Sequence, residues 1–159
     1  MKKFFKSLML ISVCLGLSAT VNAKTFRYAT TGDILGLDPH ANNEGPTNTM
    51  KGNIYGRMLH RKADLSLEPD LATKWEKLDA NTWRFSLRRG VKFHNGNDFN
   101  ADDVLFSYKR QTQEASDMSF ALATIKQINK VDDYTVDLIT KGPDPILSVS
   151  YTHLTLPTI

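Results

Sequence analysis

The sequence predicts a mixed α/β fold of the α+β kind, and three stretches carry that prediction. In Thr82–Leu87, Trp83, Phe85 and Leu87 alternate with Arg84 and Ser86, and Arg88 follows in phase. That period of two gives a strand with one buried and one wet face. "FNADDVLFSYKR" reads as a capped helix, and "DDYTVDLIT" alternates again through Tyr134, Val136 and Leu138.

The chain opens with a segment to be set apart from the fold. "MKKFFKSLMLISVCLGLSATVNA" places Lys2, Lys3 and Lys6 before an apolar run from Leu8 to Leu17, then Val21-Asn22-Ala23. A basic start, a short apolar run and a small-residue end predict a secretory signal peptide over 1–23, cut between Ala23 and Lys24. The run is too short to span a bilayer as a helix. Val13 before Cys14 is not the small residue a lipoprotein site needs, so a lipoprotein is not expected. The mature chain then has no cysteine, and no disulfide supports it.

Charge follows from the same cut. The net +3 rests on 20 Lys and Arg against 17 Asp and Glu. Three of the lysines fall before Ala23 and every acid falls after it, so the mature chain is balanced. The basic excess belongs to the export signal, and no nucleic-acid or membrane-binding surface is predicted. Hydrophobic residues at 41% and charged residues at 23% exclude a disordered or fibrous chain.

Elements follow in order. Phe26 and Tyr28 alternate in "KTFRYATT", a short strand over Lys24–Thr31. "GDILGLDPH" is a loop punctuated by Gly and Pro. "GPTNTMKGNIYGRMLHRK" places Met50, Ile54 and Met58 four apart, a helix starting near Pro46-Thr47 with an apolar core stripe. Trp75–Leu78 pairs with Thr82–Leu87 across the "LDAN" turn. Asn95–Asp98 is another turn. Asn100 caps the next helix, with Asp102 and Asp103 in its first turn where the helix dipole favours negative charge. Phe99 and Val104 form a hydrophobic staple across that cap. A short helix near Met118–Ala123 and a strand pair around Asp132-Asp133 complete the pattern, and Lys141–Pro145 breaks it.

Few residues read as chemistry. His40, His60, His94 and His153 show no ligand spacing, so no metal site is predicted and each reads as a solvent-facing or turn histidine. Asp102-Asp103 could pass for paired catalytic carboxylates, but adjacent helix residues point about 100° apart. They read as a helix cap, and Asp132-Asp133 as a hairpin turn. No nucleophile elbow, phosphate loop or dinucleotide fingerprint occurs, and no cofactor is predicted. Trp75 and Trp83 read as hairpin core. The one loop with binding character is "TTGDILG", whose backbone N–H groups and hydroxyls can face a ligand.

The block "W-x-F-x-L-R-x-G-V-K-F-H-x-G-x-x-F-x-A-x-D-V", present from Trp83 to Val104, closely resembles the family 5 extracytoplasmic solute-binding proteins. These are the peptide, dipeptide and nickel receptors of ABC importers. The "LDPH" loop, "YGRML", "LEPDLATKWE" and "KVDDYTVDLIT" extend the resemblance over Lys24–Ser148. It implies a class II periplasmic-binding-protein-like fold, two-lobed with an extra domain, of which only the N-terminal portion is present. Residues 24–61 would begin lobe I and 62–148 the N-terminal part of the family domain. It implies non-catalytic capture of a peptide or other small solute in the periplasm, delivery to membrane permease subunits, and a monomeric receptor at full length. Most peptide-clamping groups would lie past residue 148. Thr31, Gly32, Asp33 and Ile34 carry over as a wall of the cleft, where Asp33 either meets a peptide amine or caps a turn. A small secreted hydrolase and a stand-alone secreted interaction module remain the alternatives.

The ending "VSYTHLTLPTI" departs from that resemblance. The codons GTC TCT TAT ACA CAT CTG ACG CTG CCG ACG translate to Val149–Thr158 without a mismatch. This resembles a transposase-library sequencing adapter read in frame. Residues 149–159 are therefore expected to be non-native, and no function is assigned to Tyr151 or His153.

Overall fold

The computed structural model describes Thr25, Arg27, Ala29, residues 32–144 and Thr155–Leu156. Phe26, Tyr28 and the expected signal peptide with its Ala23–Lys24 cut lie outside the described residues. A loop from Gly32 leads into helix α1 (Gly45–Lys51), with Pro46 in its first turn. Short strands β1 (Gly56–Arg57), β2 (Leu59–Arg61) and β3 (Leu67–Pro69) follow. Then come β4 (Ala72–Lys77), β5 (Thr82–Leu87) and helix α2 (Ala101–Gln111). A 3-10 turn (Ser119–Leu122) precedes β6 (Ile125–Asp132) and β7 (Thr135–Thr140), and β8 (Thr155–Leu156) closes the order.

The main sheet is antiparallel with strand order β4-β5-β7-β6. Its register aligns Trp75, Phe85 and Val136 across three strands, and Trp83 with Leu138. This face is the core: Phe85, Val136 and Leu138 are fully buried, and Phe99, Ala101 and Val104 of the α2 entry pack into the same cluster. The opposite face aligns Glu76, Arg84, Asp137 and Asn129. Arg84 is not simply wet there, since it is half-buried and ion-paired to Asp137.

The start of α2 forms as its local chemistry dictates. Asn100 Oδ1 accepts the Asp102 N–H at 2.8 Å, and Asp103 Oδ2 accepts the Asn100 N–H at 2.9 Å. Two backbone donors that the helix leaves unpaired are thereby satisfied reciprocally. Asp102 takes a different role. It pairs with Lys130 at 2.8 Å, and Lys130 also reaches Asp133 at 2.8 Å. One carboxylate from each expected pair thus converges on one ammonium, tying α2 to the β6–β7 hairpin. These hydrogen bonds hold the Lys130 ammonium well above its ordinary range.

Turns are set by acceptor side chains. Asp79 Oδ1 accepts the N–H groups of Asn81 and Thr82, and Asp132 Oδ1 accepts that of Tyr134. Gly96 sits at φ +88°, in the left-handed region that glycine reaches without a Cβ penalty.

Two expectations are corrected. The helix begins at Pro46 but ends at Lys51, so Met50, Ile54 and Met58 do not share a stripe. Residues 52–55 instead form a turn whose N–H groups return to carbonyls of Asn48, Met50 and Lys51. A Cβ on Gly52 would stand 2.7 Å from the Arg57 guanidinium, so the glycine lets that side chain close over the helix end. Met58 is fully buried, but as a link between β1 and β2. The second correction is His40, which is only 4% exposed and so is not solvent-facing. The reason is its packing against Arg110, set out below.

Candidate functional site

The loop Gly32–Asn42 lies against α1 on one side and the end of α2 on the other. Gly32, Asp33 and Ile34 are all exposed, and Thr31 lies outside the described residues. Asp33 Oδ1 accepts the Ile34 N–H at 2.9 Å, so one carboxylate oxygen already organises its own turn. The Leu35 N–H donates to Thr47 Oγ1 at 3.0 Å, which ties the loop to α1. Leu35 and Leu37 are exposed beside Ile34, an apolar rim next to a polar backbone. The Tyr55 hydroxyl donates to the Leu37 carbonyl.

The loop is held from beneath by charged groups. Lys51 is buried, and its Nζ donates to the carbonyls of Ala41 at 2.5 Å and Asn42 at 2.9 Å. Burial pushes its ammonium below the ordinary value. The Arg110 guanidinium grips both oxygens of Asp38 and also meets His40 Nδ1 at 2.9 Å. Hydrogen bonding from Arg110 holds the Asp38 carboxyl far below the usual carboxylate range. Glu44, just before α1, is half-buried, and its Oε1 has no hydrogen-bond partner among the described residues.

Beside the loop, an open cavity of about 390 Å³ is lined by Asn53, Tyr55, Asp70, Arg88 and Val91, among others. A second, of about 350 Å³, lies between Ile54, Tyr55, Phe93 and His94. His60 is exposed, 3.9 Å from Glu68. Among the described residues, no group of three or more His, Cys, Asp or Glu side chains could hold a metal ion. No helix among them is long and apolar enough to cross a membrane.

The arrangement presents backbone, one carboxylate and apolar side chains to a solute. The sequence picked out Gly32, Asp33 and Ile34 but missed the groups that hold them: Asp38, Lys51, Tyr55 and Arg110. One signal was available, since Phe106 and Arg110 lie four apart on α2 and neither is buried. Such a face calls for a partner from elsewhere in the chain.

These features define a solute-binding scaffold rather than a reaction centre. The chain belongs to the bacterial extracellular solute-binding proteins of family 5, whose middle region matches residues 66–159. It is 33% identical over 154 residues to the dipeptide-binding protein of Escherichia coli K12, covering 83% of this chain and 29% of that one. It is 34% identical over 143 residues to haem-binding protein A of Haemophilus influenzae, covering 76% of this chain and 26% of that one. Among solved structures, the Helicobacter pylori periplasmic binding protein DppA, in complex with the peptide STSA, matches with a TM-score of 0.68. That match has 28% identity and covers 78% of this chain and 29% of the other. The chain thus spans under a third of the length of these relatives, all of which are binding proteins.

Proposed function

We propose that this chain is the N-terminal portion of a periplasmic receptor that captures peptides for an ABC importer and hands them to the membrane permease, without catalysis. The observation that supports it most is the exposed Gly32–Ile34 segment, fixed from behind by α1 and α2, in a chain similar to dipeptide- and peptide-binding relatives. Rigid backbone with an apolar rim suits a peptide, whose main chain is constant and whose side chains vary. The second lobe and most clamping groups would come from polypeptide past Ser148, as domain closure over a solute requires. Export by the 1–23 segment would deliver the receptor to the periplasm.

Residues 149–159 are proposed to be adapter-encoded. The pairing of Thr155–Leu156 with Gly56–Arg57 is compatible with this, since a ladder of main-chain bonds needs no particular side chains. Genomic sequence across the Ser148 codon tests both proposals. A long reading frame that diverges after Ser148 is expected, and an in-frame stop after Ile159 would sink them. The continued protein is then to be titrated calorimetrically with di- and tripeptides, haem and a nickel–histidine complex. Peptide binding supports the reading. Binding of haem or nickel alone would retain a solute receptor and reject peptides.

A further inference from the structure

Arg110 stands 72 residues from Asp38 in sequence, yet it is the bidentate link between α2 and the loop. Its guanidinium bonds both Asp38 oxygens, with Nη1 to Oδ1 at 2.9 Å. The same Nη1 lies 2.9 Å from His40 Nδ1. Arginine only donates, so Nδ1 is the acceptor and the imidazole proton sits on Nε2. Asp38 in turn accepts the N–H groups of His40 at 2.9 Å and Ala41 at 3.3 Å. The segment after α2 adds two more bonds. Ser116 Oγ donates to the His40 carbonyl at 3.1 Å, and the Asn42 N–H donates to Asp117 at 3.1 Å. Residues 38–42 are therefore seated on the end of α2 by one ion pair and several shared hydrogen bonds.

Gly32–Ile34 have little anchorage of their own. Asp33 bonds only its neighbour's N–H, and the first bond to another element is Leu35 to Thr47. Where the exposed segment points is set by the seated segment that follows it. We propose that Arg110 is a positioning residue for the solute-facing loop, acting through Asp38 and His40, and that it makes the loop and α2 move as one body. This rests on reading Gly32–Ile34 as a ligand wall. A planar fork suits the task, because it fixes direction as well as distance. A lysine offers a point charge and fixes less.

The test is backbone amide exchange, read by mass spectrometry on the dilute, ligand-free chain, so its result is independent of what the loop binds. Four proteins join the parent: Arg110→Gln, Asp38→Asn, the double variant and Arg110→Lys. In each single variant losing the pair, exchange across residues 35–42 is expected to rise at least about tenfold, as for a local opening. Exchange in β5 and β7 is expected to stay as in the parent. The double variant should rise no further than either single, and Arg110→Lys should fall between. Unchanged exchange at 35–42 would overturn the proposal. So would an equal rise throughout β5 and β7, or strictly additive effects, because each would make Arg110 a general stabiliser. Loss of solute binding on changing Asp33 in the continued protein is a separate result and bears only on the ligand-wall reading.

Discussion

Arg84 and Asp137 are register partners on β5 and β7, and their side chains meet in a double hydrogen bond, Nε to Oδ1 and Nη2 to Oδ2, each at 2.7 Å. They occupy the sheet face opposite the core, and Asp137 is the deeper, with its side chain 16% exposed. A half-buried pair of this geometry is costly to break from one side only, because the remaining charge keeps its desolvation without its partner. Asp137→Ala is therefore expected to lower the thermal midpoint by a few degrees, on the order of 4–8 °C per kcal/mol lost at this size. Replacing both residues by apolar side chains of similar length should lose less than Asp137→Ala alone. Thermal melts by circular dichroism check this, and equal losses would remove the pairing argument.

Phe99 and Phe85 are fully buried in one cluster, and Phe93 meets Phe99 edge-on at a centroid distance of 6.2 Å. Phe99 precedes the α2 cap, so it joins the β-sheet core to the helix entry. Phe99→Ala is expected to cost about 3–5 kcal/mol, and Phe99→Leu much less, because the cavity is smaller. Urea titration reads both, and a midpoint unmoved by Phe99→Ala would show that the helix entry is not packed on this core.

Asn100 and Asp103 cap each other reciprocally. Asn100→Ala is expected to cost about 1 kcal/mol. Asp103→Ala should cost a similar amount, and the two losses should not add, since either change opens the same box. A double-mutant cycle in urea measures the coupling, and fully additive losses would argue that the two caps act alone.

The fold was legible where local signals agreed. At Phe99–Arg110 the staple, cap, acidic first turn and apolar spacing all point one way, and α2 forms as expected. The β4–β5 and β6–β7 hairpins were legible for the same reason, through period-two alternation flanked by Asp-rich turns. The Met50–Met58 stripe misled because periodicity alone ignores what Gly52 permits: an early stop with the Arg57 side chain folded over it. His40 was illegible for another reason. Its burial depends on Arg110 and Ser116, more than 69 positions away, and no local pattern encodes contacts at such separation. The candidate site was half legible. A Gly- and Thr-bearing loop marks exposed backbone, but the groups that hold it are scattered through the chain.

Lys51 provides a pH-dependent check on that support. Burial lowers its ammonium pKa below the ordinary 10.5. Between the folded and unfolded values, the unfolded chain binds more protons, so stability from this residue rises with pH across that window and is flat well below it. Lys51→Met removes the term but strands the Ala41 and Asn42 carbonyls, so the variant should be less stable at neutral pH. The gap between parent and variant should widen in the parent's favour as pH climbs toward 10.5. Melts at matched ionic strength from neutral pH upward measure it, and a gap that narrows would contradict a buried, charged Lys51.

Asp33 is the residue on which the ligand-wall reading is most exposed to test. It lies on the surface, and the bond it makes joins it to the next residue, so its replacement should leave the fold intact. An amine-terminated solute meeting this carboxylate would gain a charge-assisted hydrogen bond, worth about 1.5–3 kcal/mol where water is excluded. In the protein continued past Ser148, Asp33→Asn is then expected to weaken dipeptide binding by roughly ten- to a hundredfold. The thermal midpoint without ligand should stay within about a degree of the parent's. A peptide with a blocked amino end should bind parent and variant alike, because it lacks the cation. If Asp33 only caps its turn, the asparagine still accepts the Ile34 N–H, and affinity for both peptides should be unchanged. Calorimetric titration of the two peptides into the two proteins separates the outcomes. Equal affinity throughout would return Asp33 to a turn-forming role and shift the search for the amine partner to the polypeptide beyond Ser148.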